Sequence, residues 1–363
     1  MSVNEDLAIF EAGSGVGNDL YILLLCAVMP ENRQLLLRRR PSAALSQKDV
    51  EIVSNATPSL KDGQFLVKNL YASVDPTHRI WMSEDDQYLA PVDLDAPMRA
   101  MTYGVVEESK NPSFPVGAHV LGMGGIQHYY VGDPAADPGL TVAKEIEGLP
   151  NTAWLSVCSV IIGLTAWVGV NEICKPKQGE TFVVSAGAGA VGSLAGQLAK
   201  LRGARVIGFV GSKEKADWIV NELGFDGAIN YKTDDMLTRL KHLAPNGVDS
   251  YFDNTGGPST EAVLRCFNNN ARIALCGIIS GYNTGDFALK NFQMLLHRRV
   301  NLQGFICLDH LDKYEQALAE LIPLVKDKKI KYLEDIQTGI DNYPDVVNML
   351  FEGSNKGKLM LKF

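Results

Sequence analysis

The amino-acid sequence predicts a two-part α/β fold, in which a compact set of antiparallel strands precedes a doubly wound parallel sheet. In residues 165–309, strand-like apolar runs alternate with helical runs, as expected of a doubly wound sheet. In residues 32–155, short alternating segments are interrupted by proline or glycine, which is typical of antiparallel strands in a barrel. The chain has 363 residues, of which 46% are hydrophobic, so it is long enough to build two cores.

The individual strands follow from these runs. Alternating segments of the first part include Gln64–Leu70 and His119–Gly122. The apolar runs of the second part are Thr181–Val184, Arg205–Val210, Gly227–Asn230, Asp249–Phe252, Arg272–Leu275 and Asn301–Phe305. The final segment begins with an amphipathic helix near Tyr314 and ends in an alternating strand, Gly357–Phe363, which we expect to return to the first part.

A glycine-rich turn, Gly187-Ala-Gly189-Ala-Val-Gly192, lies between the first apolar run and a helix predicted over Ser193–Leu201. In a dinucleotide-binding loop, the first glycine permits the tight turn and the second lets the backbone approach the pyrophosphate. The third lets the helix pack on the strand, and the helix N-terminus supplies N–H donors. The position of the turn favours this interpretation over glycines that serve close packing alone.

The second strand of the parallel sheet ends without the acidic residue that an NAD-binding protein presents to the ribose. Ile207–Ser212 contains no Asp or Glu, and Lys213 and Lys215 follow it. The Ser212 hydroxyl and the two lysines are suited to a 2′-phosphate, so the sequence predicts NADPH as the cofactor. Alternatively, the lysines are solvated charges on the first turn of the next helix.

Charge and cysteine content exclude several classes of protein. The formal net charge of −8 lacks the basic surface that nucleic acid or anionic lipid would require. The six cysteines form neither a CxxC pair nor a zinc-lobe spacing, and we expect reduced thiols in the cytoplasm.

The apolar run Leu20–Met29 is much shorter than a membrane span of about 20 residues, and acidic residues precede it where a signal peptide is basic. Residues 1–29 are therefore interpreted as an uncertain extension, with Met29 as a candidate start.

Segments distributed over most of the chain carry the motifs of one enzyme family. They are Gly179–Gly192, Gly211–Lys215, Leu223–Asp226, Asn230–Thr233, Tyr251–Gly257, Cys276–Asn283, Leu302–Ile306 and Gly353–Lys358. Together they resemble the zinc-independent medium-chain dehydrogenase/reductases, and among these the alkenal/one (double-bond) reductases that include prostaglandin reductase and bacterial curcumin reductase. The resemblance extends from about Asn32 to the C-terminus.

The resemblance implies a GroES-like β-barrel for the substrate in residues 30–160 and 315–363, and a Rossmann domain for NADPH in residues 161–314. It also implies NADPH-dependent reduction of the carbon–carbon double bond of an α,β-unsaturated aldehyde or ketone. Relatives pair through an edge of the Rossmann sheet, so we expect a homodimer formed through Asn301–Ile306. Motif and resemblance together assign these residues to the cofactor: Gly187, Gly189, Ala190, Val191, Gly192, Ser212, Lys215, Tyr231, Asn254, Cys276, Gly277, Ile278, Ser280, Tyr282, Phe305, Ile306, Cys307 and Asn355.

A catalytic metal is not expected. The chain has no GHE segment and no cysteine quartet, and His78, His119 and His128 fit no ligand spacing. Without a metal, hydride delivery to the β-carbon leaves an enolate whose oxygen needs hydrogen-bond donors. The resemblance points to the cofactor ribose and a tyrosine as donors, with solvent as the proton source, and Tyr282 is the candidate catalytic residue. The alternative for Tyr282 is an aromatic wall that only stacks on the substrate.

Two positions depart from the family pattern. Thr77 and Trp167 stand where many relatives have tyrosine, and Thr77 or His78 is a candidate replacement donor. Cys276 and Cys307 are interpreted as packing residues, since no activating base is apparent. Six apolar or aromatic residues either line an apolar substrate pocket or belong to the ordinary core: Trp81, Met82, Met123, Tyr129, Tyr282 and Phe305.

Two other functions remain open from the sequence. One is an NADPH quinone oxidoreductase, which would share the fold and the cofactor but transfer hydride to a quinone. The other is a non-catalytic NADPH-binding protein, which the replaced tyrosines would permit. The loop after Tyr282 also lacks the proline-rich insert of mammalian prostaglandin reductases, so a prostanoid substrate is not assumed.

Overall fold

The computed structural model describes residues 31–363, and the first part of this chain consists of short strands. The expectations for residues 1–29, including Cys26 as a reduced thiol, lie outside the described residues. The strands of this part are β1 (Glu31–Leu37), β2 (Val50–Ala56), β3 (Phe65–Ser73), β4 (Thr102–Ser109), β5 (His119–Gly122), β6 (Tyr129–Gly132) and β7 (Thr141–Val142). The helix α1 (Thr77–Trp81) follows β3.

The second part alternates strands with helices. Its strands are β8 (Thr181–Val184), β9 (Arg205–Val210), β10 (Gly227–Asn230), β11 (Val248–Asp253), β12 (Phe267–Leu275) and β13 (Asn301–Gly304). Its helices are α2 (Thr165–Val168), α3 (Ala190–Leu201), α4 (Lys213–Asn221), α5 (Met236–Leu243), α6 (Gly257–Leu264) and α7 (Gln293–Arg298). The strands form one parallel sheet in the order β10-β9-β8-β11-β12-β13, which confirms the predicted doubly wound sheet. All residues of β8 are buried, because helices cover both faces of the sheet.

The last part of the chain returns to the first sheet. It contains α8 (Tyr314–Lys326), β14 (Glu334–Thr338), α9 (Tyr343–Glu352) and β15 (Lys358–Lys362). β15 pairs antiparallel with β3 and parallel with β14. The resulting sheet has the order β14-β15-β3-β4-β5-β7, and β6 also pairs with β3, so the antiparallel strands of the first part are completed by a strand from the C-terminus.

Several boundary predictions were wrong, including those of β3 and β11, which begin or end one to three residues away from the predicted positions. The helix after the glycine-rich turn begins at Ala190, not Ser193, because Gly189 already has the extended backbone of a cap residue. Strand β12 begins well before Arg272, and β13 ends one residue before Phe305. β15 does not alternate: Lys358, Leu359, Met360 and Leu361 are all buried, since this strand lies inside its sheet and against the second part.

Apolar residues are divided among several clusters. One large cluster lies on one face of the parallel sheet and includes Phe182, Leu198 and Phe252. A second large cluster joins β1, β3 and β15 to α9, through residues such as Leu35 and Val347. None of the helices between residues 31 and 363 combines the length and the apolar character needed to cross a bilayer.

Candidate active site

The glycine-rich turn connects β8 to α3 at the carboxyl edge of the parallel sheet. Gly187 passes so close to β9 that a Cβ there would lie 3.1 Å from the Cα of Gly208. A Cβ on Gly192 would lie 2.2 Å from the carbonyl oxygen of Ala186, so only glycine lets the helix pack on the turn. Gly189 caps α3 and offers no side chain to its first N–H groups, which leaves them available to an anion.

The C-terminal segment lies directly beside this turn. Gly357 forms a parallel bridge with Gly189, and the buried Asn355 donates its side-chain N–H to the carbonyl oxygen of Gly357 at 3.0 Å. Gly189 follows β8 of the parallel sheet and Gly357 precedes β15 of the other sheet, so both parts of the chain meet at the turn. Asn355 thus lies on the segment that contacts Gly189, the cap residue of α3.

Three lysines converge at the start of α4. Lys215 donates to the carbonyl oxygen of Gly353 at 2.8 Å, and Lys232 donates to that of Glu352 at 3.0 Å. Burial lowers the pKa of Lys215, nearby Lys232 and Lys356 lower it further, and Asp335 and Glu214 oppose this change. Lys356 is itself paired with Glu214, so Lys215 and Lys232 are the ammonium groups best placed to meet an anion.

The neighbouring residues differ in their contribution to this lysine cluster (Lys215, Lys232 and Lys356). The Ser212 hydroxyl accepts the backbone N–H of Lys215 at 3.2 Å and so caps α4. The Tyr231 ring is partly exposed beside Lys232, whose ammonium lies 6.0 Å from the ring centre. Lys213 instead projects into solvent and pairs with Asp217 at 2.5 Å. The solvated-charge interpretation therefore fits Lys213 and does not fit Lys215.

Asp253, at the end of β11, fixes the loop that follows. Its buried carboxylate accepts hydrogen bonds from the hydroxyls of Ser185, Tyr251 and Thr260. It also accepts the backbone N–H of Gly256 at 2.9 Å. The side-chain N–H of Asn254, the next residue, donates to the carbonyl oxygen of Ser185 at 2.8 Å, which ties the loop to the end of β8.

The residues after β12 form a loop that is tied to the end of β11. The backbone N–H groups of Cys276 and Gly277 donate to the Asp253 carbonyl oxygen, and that of Ser280 donates to Thr255. The Tyr282 hydroxyl accepts the backbone N–H of Ile278 at 3.2 Å. Burial, followed by nearby groups that include Cys276 and Tyr88, raises the pKa of Tyr282 to about 12, so its hydroxyl keeps its proton at neutral pH.

The residues after β13 follow a strand that pairs with β12, so they leave the sheet beside this loop. Phe305 is buried with its edge against Phe252, and its ring centre lies 6.2 Å from that of Phe252, while Ile306 and Cys307 follow it. Burial raises the pKa of Cys276 and of Cys307. Both side chains are therefore thiols at neutral pH, in agreement with their interpretation as packing residues.

Tyr88, a residue that the sequence did not single out, lies beside α1. The Tyr88 hydroxyl is hydrogen-bonded to the Thr77 hydroxyl of α1. Burial raises the pKa of Tyr88, hydrogen bonds with Thr77 and Trp81 lower it, and nearby Cys307 raises it. No sequence pattern indicates Tyr88, because it lies in an irregular loop outside every motif.

Several predicted pocket residues are not brought together. Trp81 and Met82 are buried in the cluster around β1, and Tyr129 packs on Leu60 and Leu66. Met123 is exposed. Of the remaining proposed pocket residues, Tyr282 is bonded to the Ile278 N–H, and Phe305 is buried in the cluster on the parallel sheet.

The three histidines of the first part are dispersed. His78 is fully buried and its Nδ1 lies 2.9 Å from the hydroxyl of Tyr343, so the suggestion that it donates to a substrate is wrong. His119 stacks on Tyr103, and His128 meets the edge of Phe363. Within residues 31–363, no group of three or more His, Cys, Asp or Glu side chains is arranged to hold a metal ion.

Comparison with protein families and known proteins identifies relatives over most of the chain. Residues 33–137 match a family described as the N-terminal domain of oxidoreductase, and residues 190–324 match one described as zinc-binding dehydrogenase. An NADP-dependent 2-alkenal reductase of Nicotiana tabacum is 36% identical over 90% of this chain and 96% of its own length. An NADPH-dependent curcumin reductase of Escherichia coli is 34% identical over 91% of this chain and 96% of its own length.

The similar structures include an NADPH complex. CurA from Vibrio vulnificus in complex with NADPH superposes with a TM-score of 0.86 and 35% identity, covering 91% of this chain and 98% of that chain. A quinone oxidoreductase of Escherichia coli, also complexed with NADPH, has a TM-score of 0.73 at 20% identity over 92% and 100% of the two chains. At that identity the second likeness establishes the shared fold alone.

Proposed function

This chain belongs to the alkenal and curcumin reductases of the medium-chain dehydrogenase/reductase family, and on that premise we propose that it uses NADPH to reduce the carbon–carbon double bond of α,β-unsaturated aldehydes and ketones. The observation that carries the proposal is the Tyr282 hydroxyl, which accepts a backbone N–H from the loop after β12 and keeps its proton at neutral pH. Its own proton is thereby left free for a substrate oxygen.

The residues present fit NADPH along its whole length. The free N–H groups at the start of α3 suit the pyrophosphate, and the lysine cluster suits the 2′-phosphate. Asn254 and the residues from Cys276 to Ser280 line the carboxyl edge of the sheet between these points and the cleft. Ligands of doubly wound folds bind at this edge, so the assigned cofactor residues are kept as the proposed binding site.

When bound, NADPH supplies the hydride that is added to the β-carbon of the substrate. The task of the chain is to hold the substrate carbonyl and to stabilise the negative charge that grows on its oxygen. Tyr282 does this by donating its hydroxyl proton in a hydrogen bond, and the Ile278 N–H fixes the position of that hydroxyl. A donor placed in advance costs no reorganisation during the reaction. Solvent then supplies the proton to the α-carbon.

The test is the rate of NADPH oxidation, and separately of NADH oxidation, by the purified protein with a 2-alkenal, an aryl enone or a quinone. Products are identified by mass, and Tyr282→Phe is assayed in parallel. We expect the enone to gain two hydrogens at its double bond, NADPH to be preferred, and kcat of Tyr282→Phe to fall about 100-fold. Consumption of the quinone alone would support the quinone oxidoreductase alternative. NADPH binding without any turnover would support a non-catalytic protein.

We also propose the domain organisation and the assembly. A substrate domain would contain the strands of the first part with β14 and β15, and a cofactor domain the parallel sheet. Because Ala317, Leu321 and Val325 of α8 pack in the cluster on the parallel sheet, we move the second boundary from residue 315 to about residue 330.

The exposed edge strand β13 supports a homodimer. The described cysteines are all unpaired, which supports a reducing compartment such as the cytoplasm.

A further inference from the structure

The C-terminal end of α9 contacts two lysines of the cofactor domain, although α9 itself packs with β1, β3 and β15 in the substrate domain. The Lys215 ammonium donates to the carbonyl oxygen of Gly353 at 2.8 Å, and the Lys232 ammonium donates to that of Glu352 at 3.0 Å. α9 ends at Glu352, and Gly353 follows it with a left-handed φ of 71°. The last carbonyl groups of a helix have no partner within the helix, so they are open to such donors.

These two lysines keep their positive charge uncompensated. Lys356, the third lysine of the cluster, pairs with Glu214. In residues 31–363, no carboxylate forms an ion pair with Lys215 or Lys232, whose ammonium groups bind carbonyl oxygens instead. A carbonyl oxygen fixes an ammonium group without cancelling its charge, and it takes only one of the three N–H donors. Two donors on each ammonium therefore remain for an anion.

The Tyr231 side chain connects the end of β9 with Gly353. A Cβ on Gly211 would lie 2.6 Å from the Tyr231 hydroxyl oxygen, and a Cβ on Gly353 would lie 3.1 Å from the same atom. Gly211 follows β9 and precedes Ser212, the cap residue of α4. One hydroxyl group thus lies against both domains, at the segment where the sequence predicts the 2′-phosphate. The end of α9 is therefore next to that segment through its backbone as well as through the two lysines.

We propose that the backbone of Glu352 and Gly353, in the substrate domain, is the positioning element of the 2′-phosphate site and holds two lysines of the cofactor domain ready for that phosphate. This inference rests on the proposed cofactor site. A free lysine loses rotamer freedom when it binds an anion, whereas a lysine already fixed by a carbonyl oxygen loses less. A cation is also stabilised at the C-terminus of a helix, so the contact itself is favourable. Selection of NADPH over NADH then depends on contact between the domains as well as on the lysines.

The first test is the substitution Gly353→Ala in the full chain, with dissociation constants of NADPH and NADH measured by fluorescence titration. The two ligands differ only in the 2′-phosphate. Alanine is strained at a φ of 71°, and its Cβ would crowd the Tyr231 hydroxyl, so the carbonyl oxygen of residue 353 must shift. We expect NADPH to bind about tenfold more weakly than it binds to the wild type, and NADH to bind equally well.

Gly339→Ala is the matched control. Gly339 lies between β14 and α9, at the other end of the same helix, and has a φ of 91°. A Cβ there would meet only the Asn342 side chain, at 3.6 Å, so this substitution strains the backbone of the substrate domain without disturbing the lysines. Both dissociation constants should remain those of the wild type.

A double-mutant cycle with Lys215→Ala tests whether Gly353 acts through this lysine. In the Lys215→Ala background, Gly353→Ala is expected to change the NADPH dissociation constant by less than about twofold, because the group that it positions is gone. Equal losses from Gly353→Ala in both backgrounds would overturn the inference.

Hydrogen exchange of the wild type tests the same coupling without a substitution at the helix end. The backbone N–H groups of Gly353 and Ser354 donate to the carbonyl oxygen of Met349 at 2.9 and 3.0 Å. If the helix end favours the phosphate, the phosphate must favour the helix end to the same extent. These amides are therefore expected to exchange about threefold more slowly with saturating NADPH than with saturating NADH. The difference should disappear in Lys215→Ala.

The outcomes separate this inference from the proposals on which it rests. A selective loss of NADPH binding in Lys215→Ala, with none in Gly353→Ala, overturns the inference and leaves the lysine site in place. Equal losses of NADPH and NADH binding in Gly353→Ala, or equal exchange with both cofactors, also overturn it. If Lys215→Ala does not weaken NADPH selectively, the proposed 2′-phosphate site is wrong and this inference falls with it. Because these measurements contain no substrate, none of them depends on the proposed enone reduction.

Discussion

Lys213 and Lys215 are close in sequence but lie in different environments. The Lys213 side chain is 86% exposed and paired with Asp217, whereas Lys215 turns inward to the end of α9. A lysine that is partly buried against other lysines gains more from a bound anion than a solvated one. We therefore expect Lys215, rather than Lys213, to discriminate between NADPH and NADH.

Replacement of Lys215 by Ala is expected to raise KM for NADPH by about 10- to 100-fold, the range for a lost charge-assisted hydrogen bond. KM for NADH should change little, because NADH has no 2′-phosphate. Lys213→Ala is the matched control and is expected to leave both values unchanged. Equal effects of the two substitutions on NADPH would show that the lysines act only through net charge. The measurement is steady-state kinetics with each cofactor.

Sequence patterns could predict a phosphate site in this segment but could not distinguish its two lysines. The distinction depends on Gly353, far away in the chain, whose carbonyl oxygen accepts a hydrogen bond from the Lys215 ammonium. The same limit applies to Tyr88, whose hydrogen bond to Thr77 is a contact outside every motif. Motifs report what neighbouring residues can bind, whereas these roles arise from tertiary contacts.

His78 is expected to make stability depend on pH. Its burial, reinforced by Lys358 and Arg99 and opposed by Asp75, lowers its pKa from the ordinary value to about 4. Below a pH of about 6.5 the unfolded chain binds a proton that the folded chain does not, so stability is lost as the pH falls towards 4. Between pH 7 and pH 5 the contribution of this residue is a loss of about 2 kcal/mol.

The measurement is the free energy of unfolding in urea at the two pH values. His78→Gln is expected to show a smaller loss between pH 7 and pH 5 than the wild type, although it is less stable at both. His242→Gln, at an exposed histidine of α5, should behave as the wild type does. A wild-type loss that persists unchanged in His78→Gln would assign the pH dependence to other groups.

At the scale of elements, the sequence located the parallel strands where their residues are continuously apolar. β8, β9 and β10 have the predicted bounds, residue for residue. The predicted strand was shorter than β12 because three polar residues, Asn268, Asn269 and Asn270, interrupt the first half of β12. Asn270 also adopts a positive φ of 61°. An apolar pattern cannot reveal a strand segment that is polar and irregular, and here the pairing with β11 also shifts register.

The turn between β8 and α3 gives a prediction in which two glycines of one motif behave differently. A Cβ on Gly192 would lie 2.2 Å from the Ala186 carbonyl oxygen, so Gly192→Ala must displace the helix from the strand. A Cβ on Gly189 would lie 3.2 Å from the same oxygen, and Gly189 has an ordinary negative φ. Gly189→Ala is therefore tolerated by the fold and obstructs only the approach of the pyrophosphate.

Thermal unfolding and NADPH titration of the two variants check this expectation. Gly192→Ala should lower the unfolding midpoint by several degrees, which corresponds to a loss of about 1–3 kcal/mol for an overpacked site. Gly189→Ala should keep the midpoint of the wild type without cofactor and bind NADPH at least about tenfold more weakly. The reverse order of effects would mean that the second glycine serves packing and the third serves the ligand.

At the scale of the whole molecule, the C-terminal segment couples the cofactor site to the substrate domain. Gly357 bridges to Gly189 of the glycine-rich turn, and Lys358 forms a buried ion pair with Asp75 at 2.9 Å. Burial opposes ionisation of Asp75, but Lys358, His78 and the Ser73 hydroxyl outweigh it and lower its pKa. Asp75 directly precedes the turn into α1. The same segment thus contacts both the glycine-rich turn and the residues that lead into α1.

The edge of the parallel sheet is where a second copy of the chain is expected to bind. β13 pairs only with β12 among the described strands, and its residues Asn301–Gly304 are all exposed. An uncovered edge strand offers a row of unpaired backbone groups, and a twofold axis through β13 would pair it with its own copy and continue the sheet. Leu296 and Phe292 of the preceding segment, exposed by 77% and 63%, would extend the contact.

Light scattering of the protein as it elutes from a size-exclusion column is expected to give twice the mass of the chain. Leu302→Lys places like charges near the twofold axis and should yield a monomer with unchanged circular dichroism. Leu201→Lys, the same change at a leucine that is 49% exposed at the end of α3, should remain dimeric. A monomeric wild type, or dissociation by both substitutions, would contradict an interface at β13.

Pairing at β13 is also expected to affect the cofactor site, because β13 leads directly into Phe305 and Cys307, which are predicted to contact NADPH. A paired β13 would hold these residues more rigidly. The monomeric Leu302→Lys variant is therefore expected to bind NADPH more weakly than Leu201→Lys does.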